Sequence, residues 1–92
     1  MSIIKIEELF ELPGWDTRRR ILEILESGQK NAYEIAKLLN LNYSTVRYHL
    51  DLLQKFGLVN VKKGKKYYYE LTKNAKILLD NYEEETKKRD ST

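Results

Sequence analysis

The stretch from residue 42 to residue 71 constrains the fold of this chain most strongly. It reads NYSTVRYHLDLLQKFGLVNVKKGKKYYYEL. A helix with one polar face is predicted to end at Gly57, a short apolar strand follows it, and a lysine-rich turn leads into a tyrosine-rich strand. A helix fits the major groove of a DNA duplex, and a positive turn beside it can contact phosphate or the minor groove. This order of elements predicts a surface with two contacts for one double helix.

Positive charge is concentrated in the middle of the chain. Residues 17–68 hold eleven Lys or Arg against four Asp or Glu, whereas the segments before and after them are net acidic, within an overall charge of +3. A lysine-rich surface that is merely solvated would also give a basic segment. A basic centre flanked by acidic ends nevertheless favours a polyanion as the partner.

Composition excludes several classes of protein. The chain has no cysteine, which rules out disulfides and thiolate metal sites, and its single histidine, His49, makes a poor metal site or catalyst by itself. There is no paired acid and base and no glycine-rich phosphate loop, so we expect neither an enzyme nor a cofactor or metal site. No apolar run approaches the roughly 20 residues of a membrane span. The acidic N-terminus is unlike a signal peptide, and a cytoplasmic location is expected.

The first part of the chain is predicted to form two helices. Residues 3–12 repeat apolar side chains at helical spacing, and a Pro-Gly pair interrupts the run. Asp16 would cap the second helix, which is expected to end near residues 27–28. Trp15 would anchor the N-terminal segment either on the core or on a partner subunit, and the sequence does not decide between the two.

A helix-turn-helix arrangement is predicted from residue 31 onward. Asn31 and Glu34 have the spacing of a capping box at the start of a short helix. A tight turn follows at residues 40–42, and its last residue, Asn42, would cap a longer helix over residues 43–56. Two helices joined by a turn of three or four residues form the helix-turn-helix motif, whose second helix is the recognition helix.

The predicted recognition helix has one apolar and one polar side on a helical wheel. Val46, Leu50 and Leu53 are expected to be buried, and His49, at the edge of that side, is expected to pack and donate one hydrogen bond. Arg47, on the opposite side, can make two hydrogen bonds to guanine or clamp a phosphate. Any amphipathic helix has a polar face, so this face alone is weak evidence of DNA binding. The short helix and tight turn before it and the lysine-rich hairpin after it strengthen the prediction. The predicted DNA contacts of this helix are Ser44, Thr45, Arg47, Tyr48 and Lys55.

A β-hairpin is predicted after the recognition helix. Gly64, between two lysine pairs, is expected to supply the positive φ of its turn. Strand alternation predicts Tyr67 and Tyr69 on the core side and Tyr68 outward, which disfavours base stacking by all three. Lysines at an exposed turn also discourage aggregation, but four in five residues favour contact with phosphate. The predicted contacts of this wing are Lys62, Lys63, Lys65 and Lys66.

A last helix is predicted from a cap at Thr72 to about Arg89. Its apolar stripe offers a surface for a second copy of the chain, and a domain of 92 residues would gain core by dimerisation. The predicted dimer interface is Ala75, Leu78, Leu79 and Tyr82.

The run STVRYHLDLL at residues 44–53, followed by Phe-Gly-Leu-Val at residues 56–59, resembles that of the ArsR-like winged helix-turn-helix repressors. The resemblance covers roughly residues 16–82. It implies a homodimer on a two-fold DNA operator, with the terminal helices as the interface and residues 62–66 as the DNA-contacting wing. The resemblance also implies a DNA-reading stretch formed by Tyr43, Ser44, Thr45, Arg47 and Tyr48. Metal-sensing members of that family use cysteine ligands, and this chain has none. The resemblance therefore does not extend to thiolate metal sensing.

These observations predict one mainly α-helical domain with a small β-hairpin wing, a winged helix-turn-helix over residues 1–92. Residues 1–12 would form an N-terminal helix, residues 16–71 the winged core, and residues 72–90 a dimerisation helix. The predicted function is a sequence-specific regulator of transcription, a repressor in the family it resembles, that binds double-stranded DNA as a homodimer. The alternative is a winged helix that docks a protein partner of the transcription machinery.

Overall fold

Five helices and three short strands make up the described part of the chain. The computed structural model describes the backbone of residues 6–90 and the side chains of residues 8–81. In chain order the elements are α1 (Ile6–Glu11), α2 (Trp15–Leu25), β1 (Lys30–Asn31), α3 (Ala32–Leu39), α4 (Tyr43–Lys55), β2 (Val59–Lys63), β3 (Tyr67–Leu71) and α5 (Lys73–Asp90). The fold is a winged helix-turn-helix, as the sequence predicts, with α3 and α4 as the two helices of the motif.

The apolar faces of the helices meet in one core. Val46, Leu50 and Leu53 of α4 are fully buried, in agreement with their helical spacing. Leu9 of α1 is buried in the same core. Trp15 packs edge-on against Phe10, with 4.5 Å between ring centroids, and also against the core. Trp15 therefore anchors the N-terminal segment on the chain's own core, which was one of the two alternatives.

The start of α2 differs from the prediction. Its N-cap is Gly14, in a left-handed conformation with φ of +91° that glycine adopts at little cost. Asp16 lies inside the first turn and forms ion pairs with Arg19 and Arg20. These pairs, and first of all the bond from Arg19, hold the pKa of Asp16 below its usual value. The prediction of Asp16 as the cap is wrong because the glycine already starts the helix.

The predicted capping box at α3 is confirmed. The side chain of Asn31 accepts from the Glu34 N–H at 2.8 Å, and the Glu34 carboxylate accepts from the Asn31 N–H at 3.1 Å. Asn42 is the N-cap of α4, as predicted, but its side chain makes no capping bond. The helix-turn-helix is thus tightly capped at its first helix and more loosely at its second.

The three strands form an antiparallel sheet in the order β1-β3-β2. Strand β1, which the sequence analysis did not predict, pairs Lys30 with Tyr69 and Asn31 with Tyr68. Strands β2 and β3 form the predicted wing hairpin, with a loop of residues 64–66 between the paired Lys63 and Tyr67. A loop of this length does not need a left-handed residue at its start, and the predicted positive φ at Gly64 is wrong.

The tyrosines of β3 differ in burial along the strand. Tyr69 is 2% exposed and belongs to the core, as predicted. Tyr67 is 46% exposed, so the prediction that it packs in the core is wrong. Both lie on the same face of the strand, but Tyr67 pairs with Lys63 at the last rung before the loop. The core ends before it reaches that rung.

Helix α5 begins at the predicted cap, where the Thr72 hydroxyl accepts from the Ala75 N–H at 3.2 Å. Ala75 and Leu79 are buried in the chain's own core, at 0% and 3% exposure. Neither side chain is therefore open to a partner, in contrast to Ile77, which is 52% exposed, and Leu78, which is half-buried. The side chain of Tyr82 lies outside the described residues. Among the described residues no helix is long and apolar enough to span a membrane.

Candidate nucleic-acid interface

Helix α4 presents its polar side away from the core. Ser44, Tyr48 and Lys55 are exposed, and Thr45 is half-buried. The buried stripe on the opposite side holds the helix in place, so the direction of the polar side is fixed by packing. Lys55 lies about 18 Å from the first turn along the helix axis, at about 1.5 Å per residue. It is therefore separated from the residues at the start of the helix.

Arg47 lies between two side chains of its own helix. Its Nη1 donates to the Tyr43 hydroxyl at 3.0 Å, and its Nη2 lies 3.9 Å from the Asp51 carboxylate. The guanidinium also lies above the Tyr43 ring, 5.9 Å from the centroid. The bond to Tyr43, more than any other contact, raises the pKa of Arg47. Arg47 is thus a permanently charged donor with 34% of its side chain exposed, held near the start of the helix.

Tyr43 is itself stacked on a residue of the preceding helix. The rings of Tyr33 and Tyr43 are 4.3 Å apart at an interplanar angle of 21°. Tyr33 is the second residue of α3, and 68% of it is exposed although its ring has a stacking partner. The sequence analysis did not single out Tyr33, since ten residues separate it from Tyr43 and helical spacing does not connect them. Only the turn between the two helices places the rings face to face.

The wing lysines fall into two groups. Lys62 forms an ion pair with Glu70 at 3.4 Å, and its cross-strand partner is Tyr68. By strand alternation this pair lies on the face of the sheet opposite the buried Tyr69. Lys65 and Lys66 in the loop lie instead beside α4, where they line a cleft between helix and wing. The structure therefore separates Lys62 from the other predicted contacts.

A cleft between α4 and the wing brings together four of the ten predicted DNA contacts. It has a volume of about 310 Å³. It is lined by two residues of the recognition helix and by two wing lysines, all four of which are predicted DNA contacts. Three further tyrosines and the start of α3 complete the lining. Its lining residues are Asn31, Ala32, Tyr33, Tyr43, Arg47, Lys65, Lys66, Tyr67 and Tyr69. Three cations around one opening form a positive surface that is suited to an anion.

Behind α4 lies a buried cation that the sequence analysis did not predict. Arg18 is 0% exposed; its Nη1 donates to His49 Nδ1 at 3.1 Å, and its Nη2 to the carbonyls of Leu12 at 2.6 Å and Leu9 at 3.3 Å. A guanidinium can only donate, so His49 accepts and is neutral, with its proton on Nε2. Burial, and then the charge of Arg18, lower the pKa of His49. The predicted packing of His49 is confirmed, but it accepts a hydrogen bond here rather than donating one.

No group of three or more His, Cys, Asp or Glu side chains that could hold a metal ion occurs in the part of the chain that the structure describes. Apart from the Asp51 carboxylate beside Arg47, the described site consists mainly of cations, aromatic rings and hydroxyl groups. These groups bind anions and stack on planar groups.

Comparison with known proteins gives concordant results. The sequence model of a family described as "Bacterial regulatory protein, arsR family" matches residues 16–61. The transcriptional repressor SdpR of Bacillus subtilis (strain 168) is 33% identical over 77 residues, which cover 83% of this chain and 83% of that protein. The reduced form of the regulator YodB of B. subtilis superimposes with a TM-score of 0.76 over 94% of this chain and 89% of YodB, at 23% identity, which supports the fold.

A further similar structure contains nucleic acid. The Zalpha domain of Carassius auratus PKZ, solved in complex with Z-DNA, has a TM-score of 0.60 and 33% identity, and covers 62% of this chain and 94% of that domain. About three fifths of this chain is therefore similar to a domain that was solved in complex with Z-DNA.

Proposed function

Because this chain belongs to the ArsR family of bacterial regulatory proteins, we propose that it represses transcription by binding a specific double-stranded DNA site as a homodimer. The family is one of winged-helix, DNA-binding transcriptional regulators and not of enzymes. Binding of duplex DNA is supported further by the similarity to a domain solved with Z-DNA. Since it would act on the genome, we place it in the cytoplasm.

The observation that carries this proposal is the cleft between α4 and the wing. Tyr43 and Arg47 come from the recognition helix, and Lys65 and Lys66 come from the wing loop, yet all four line one opening. Phosphates supply most of the affinity of proteins for DNA, and base edges supply the sequence information. In the proposed complex Arg47, with Ser44 and Thr45 in the first turn, contacts base edges.

The remaining predicted contacts divide by position. Tyr48 and Lys55 are exposed on α4 and would contact the backbone or a thymine methyl group. Lys63, Lys65 and Lys66 would contact phosphates or the minor groove. Lys62 contributes least, because Glu70 already balances its charge on the other face of the sheet.

The homodimer would use α5. With Ala75 and Leu79 buried in the protomer, the exposed Ile77 and half-buried Leu78 are the described apolar side chains of this helix that a second copy can cover. Two recognition helices related by a two-fold axis would enter successive major grooves about 34–36 Å apart. The bound site is then expected to be palindromic, with half-sites one helical turn apart.

Selection of bound sequences from a random duplex pool, followed by gel shifts on the selected site and a scrambled duplex, tests the proposal. Arg47→Ala should cost about 1–3 kcal/mol on the selected site and blur the sequence preference. Lys65→Ala should weaken both duplexes alike and flatten the dependence of log K on log salt by about one unit for each lost contact. Lys62→Ala is the matched control in the wing and should have a smaller effect than Lys65→Ala.

Two results would contradict the proposal. If Arg47→Ala leaves binding to the selected site unchanged, α4 is not the reading helix. If the unmodified protein shows no salt-dependent binding to any duplex, docking of a protein partner, the alternative from the sequence, becomes the better interpretation.

A further inference from the structure

An exposed aromatic stack connects the two helices of the helix-turn-helix. Tyr33 keeps 68% of its surface exposed, so the apolar core does not account for its position. Its ring lies 4.3 Å from that of Tyr43 and nearly parallel to it, at 21°. Offset stacking of this kind stabilises a pair beyond the area it buries. The contact therefore acts on Tyr43 and has little to do with the stability of the core.

Tyr43 needs such a contact because it stands at the end of a helix. It is the first residue of α4, and the N-cap residue Asn42 makes no side-chain capping bond. The first turn of a helix lacks intrahelical partners for its N–H groups and is prone to fray. A ring stacked from outside the helix restrains the Tyr43 side chain at this position.

The ring of Tyr43 in turn holds Arg47. Its hydroxyl accepts from Arg47 Nη1 at 3.0 Å, and the guanidinium lies 5.9 Å from the ring centroid. Asp51, one turn further, is 3.9 Å from Nη2 on the other side. Arginine is a long side chain with many rotamers, and an arginine already held in one direction loses less entropy when it binds.

We propose that Tyr33 is a positioning residue for sequence recognition, which acts through the Tyr43 ring to direct the Arg47 guanidinium toward the DNA bases. This inference rests on the proposed function and deepens it. The identity of a residue in the preceding helix then decides how well the recognition helix discriminates between sequences. Tyr33 is outside the set of residues that the sequence predicted as DNA contacts.

The quantity to measure is the ratio of affinities for the selected site and for a scrambled duplex. Tyr33→Ala should lower this ratio by roughly 2- to 12-fold, the range that corresponds to one aromatic pair. Tyr33→Phe keeps the stacking ring and should keep the ratio. Leu38→Ala removes another large exposed side chain of α3, and as the matched control it should change neither the ratio nor the affinity. Thermal unfolding of all three variants should stay close to that of the unmodified protein, because the side chains are exposed.

A double-mutant cycle separates positioning from direct contact with DNA. In the Arg47→Ala background, Tyr33→Ala should have no further effect on the ratio, since its target is gone. If Tyr33→Ala lowers the ratio equally in both backgrounds, Tyr33 contacts the DNA itself and the inference is overturned. If Tyr33→Phe behaves like Tyr33→Ala, the hydroxyl and not the stack is responsible, and the inference is again overturned.

A measurement without DNA keeps this inference distinct from the proposed function. The Nε of Arg47 is buried and has no hydrogen-bond partner among the described residues, so its N–H proton should exchange slowly with water. Tyr33→Ala should speed that exchange and increase the ¹⁵N mobility of the side chain, whereas Tyr33→Phe should not. An unchanged Arg47 signal in Tyr33→Ala would refute the positioning role, even in a protein that binds DNA as proposed.

Discussion

Replacement of Arg18 by alanine should destabilise the protein far more than replacement of Arg20, although both belong to the run of three arginines at residues 18–20. Arg18 is fully buried, and its guanidinium donates to His49 and to the carbonyls of Leu9 and Leu12. These bonds tie the end of α1 to the recognition helix. Arg20, two positions later, is 61% exposed and pairs with Asp16 at the surface.

The magnitude follows from three opposing contributions. Loss of Arg18 leaves the buried His49 Nδ1 without a donor, at about 1–3 kcal/mol, and removes the bond of a charged donor to the Leu12 carbonyl, at about 1.5–3 kcal/mol, whereas the Leu9 carbonyl still accepts from the Leu12 N–H. Removal of its buried methylenes adds about 2 kcal/mol, at about 0.8 kcal/mol for each group. Release of the buried charge offsets several kcal/mol of this cost. We therefore expect Arg18→Ala to lower the free energy of unfolding by about 2–4 kcal/mol, against less than about 1 kcal/mol for Arg20→Ala.

Urea unfolding at one fixed protein concentration measures this difference. The fluorescence of Trp15, the single tryptophan, reports the attachment of the N-terminal segment, and far-ultraviolet circular dichroism reports the helices. Arg18→Met keeps most of the buried volume and isolates the loss of the hydrogen bonds. If Arg18→Ala and Arg20→Ala unfold within about 1 kcal/mol of each other, the buried guanidinium does not hold α1 to α4 and the reasoning fails.

Two further predictions concern the same contact. His49 has a pKa below its ordinary 6.5 in the folded protein and faces Arg18 and the edge of Tyr48; the unfolded chain takes up the proton first as the pH falls. The contribution of neutral His49 to the free energy of unfolding is thus complete above pH 6.5 and declines below it, by at most about 1.4 kcal/mol per pH unit. Urea unfolding between pH 5 and pH 7 should show this decline. If the same decline persists in His49→Gln, it does not come from His49. Gly14→Ala places a Cβ 2.8 Å from His49 Cε1, whereas at Gly57 nothing lies within 4 Å, and both have positive φ. Gly14→Ala should therefore cost about 1–3 kcal/mol more than Gly57→Ala in thermal or urea unfolding, and equal costs would show that the steric contact is absent.

Much of the fold follows from local rules in the sequence. The spacing of apolar residues located the buried side of α4, and the Asn31–Glu34 pattern located the start of α3, because each depends on residues within one or two helical turns. Strand β1 was not predicted, because two residues are too few to show an alternation of apolar and polar side chains. They form a strand only because β3 lies beside them. The exposure of Tyr67 was missed for a similar reason: alternation gives the face of a strand and does not say where the core ends.

The candidate site was predictable in part. The residues of the recognition helix and of the wing are predicted as DNA contacts from charge, position and the family resemblance, and the structure brings four of them, Tyr43, Arg47, Lys65 and Lys66, to one cleft. The stack of Tyr33 on Tyr43 and the hydrogen bond from Arg18 to His49 join residues that are distant in the sequence. An arginine in a basic run and a tyrosine at a helix start both look like ordinary surface residues until the helices are packed.

Strand β1 has a consequence for how a duplex would be selected. Its two residues bond to β3, and one of them, Asn31, also caps α3, so β1 links the wing directly to the helix-turn-helix. The distance from the lysine loop to the reading end of α4 is thereby fixed during folding. In the proposed complex, a duplex would have to match that distance with its own groove width and curvature. Sequences that narrow or bend easily would reach both contacts at a lower elastic energy, and base pairs that no side chain touches would influence affinity.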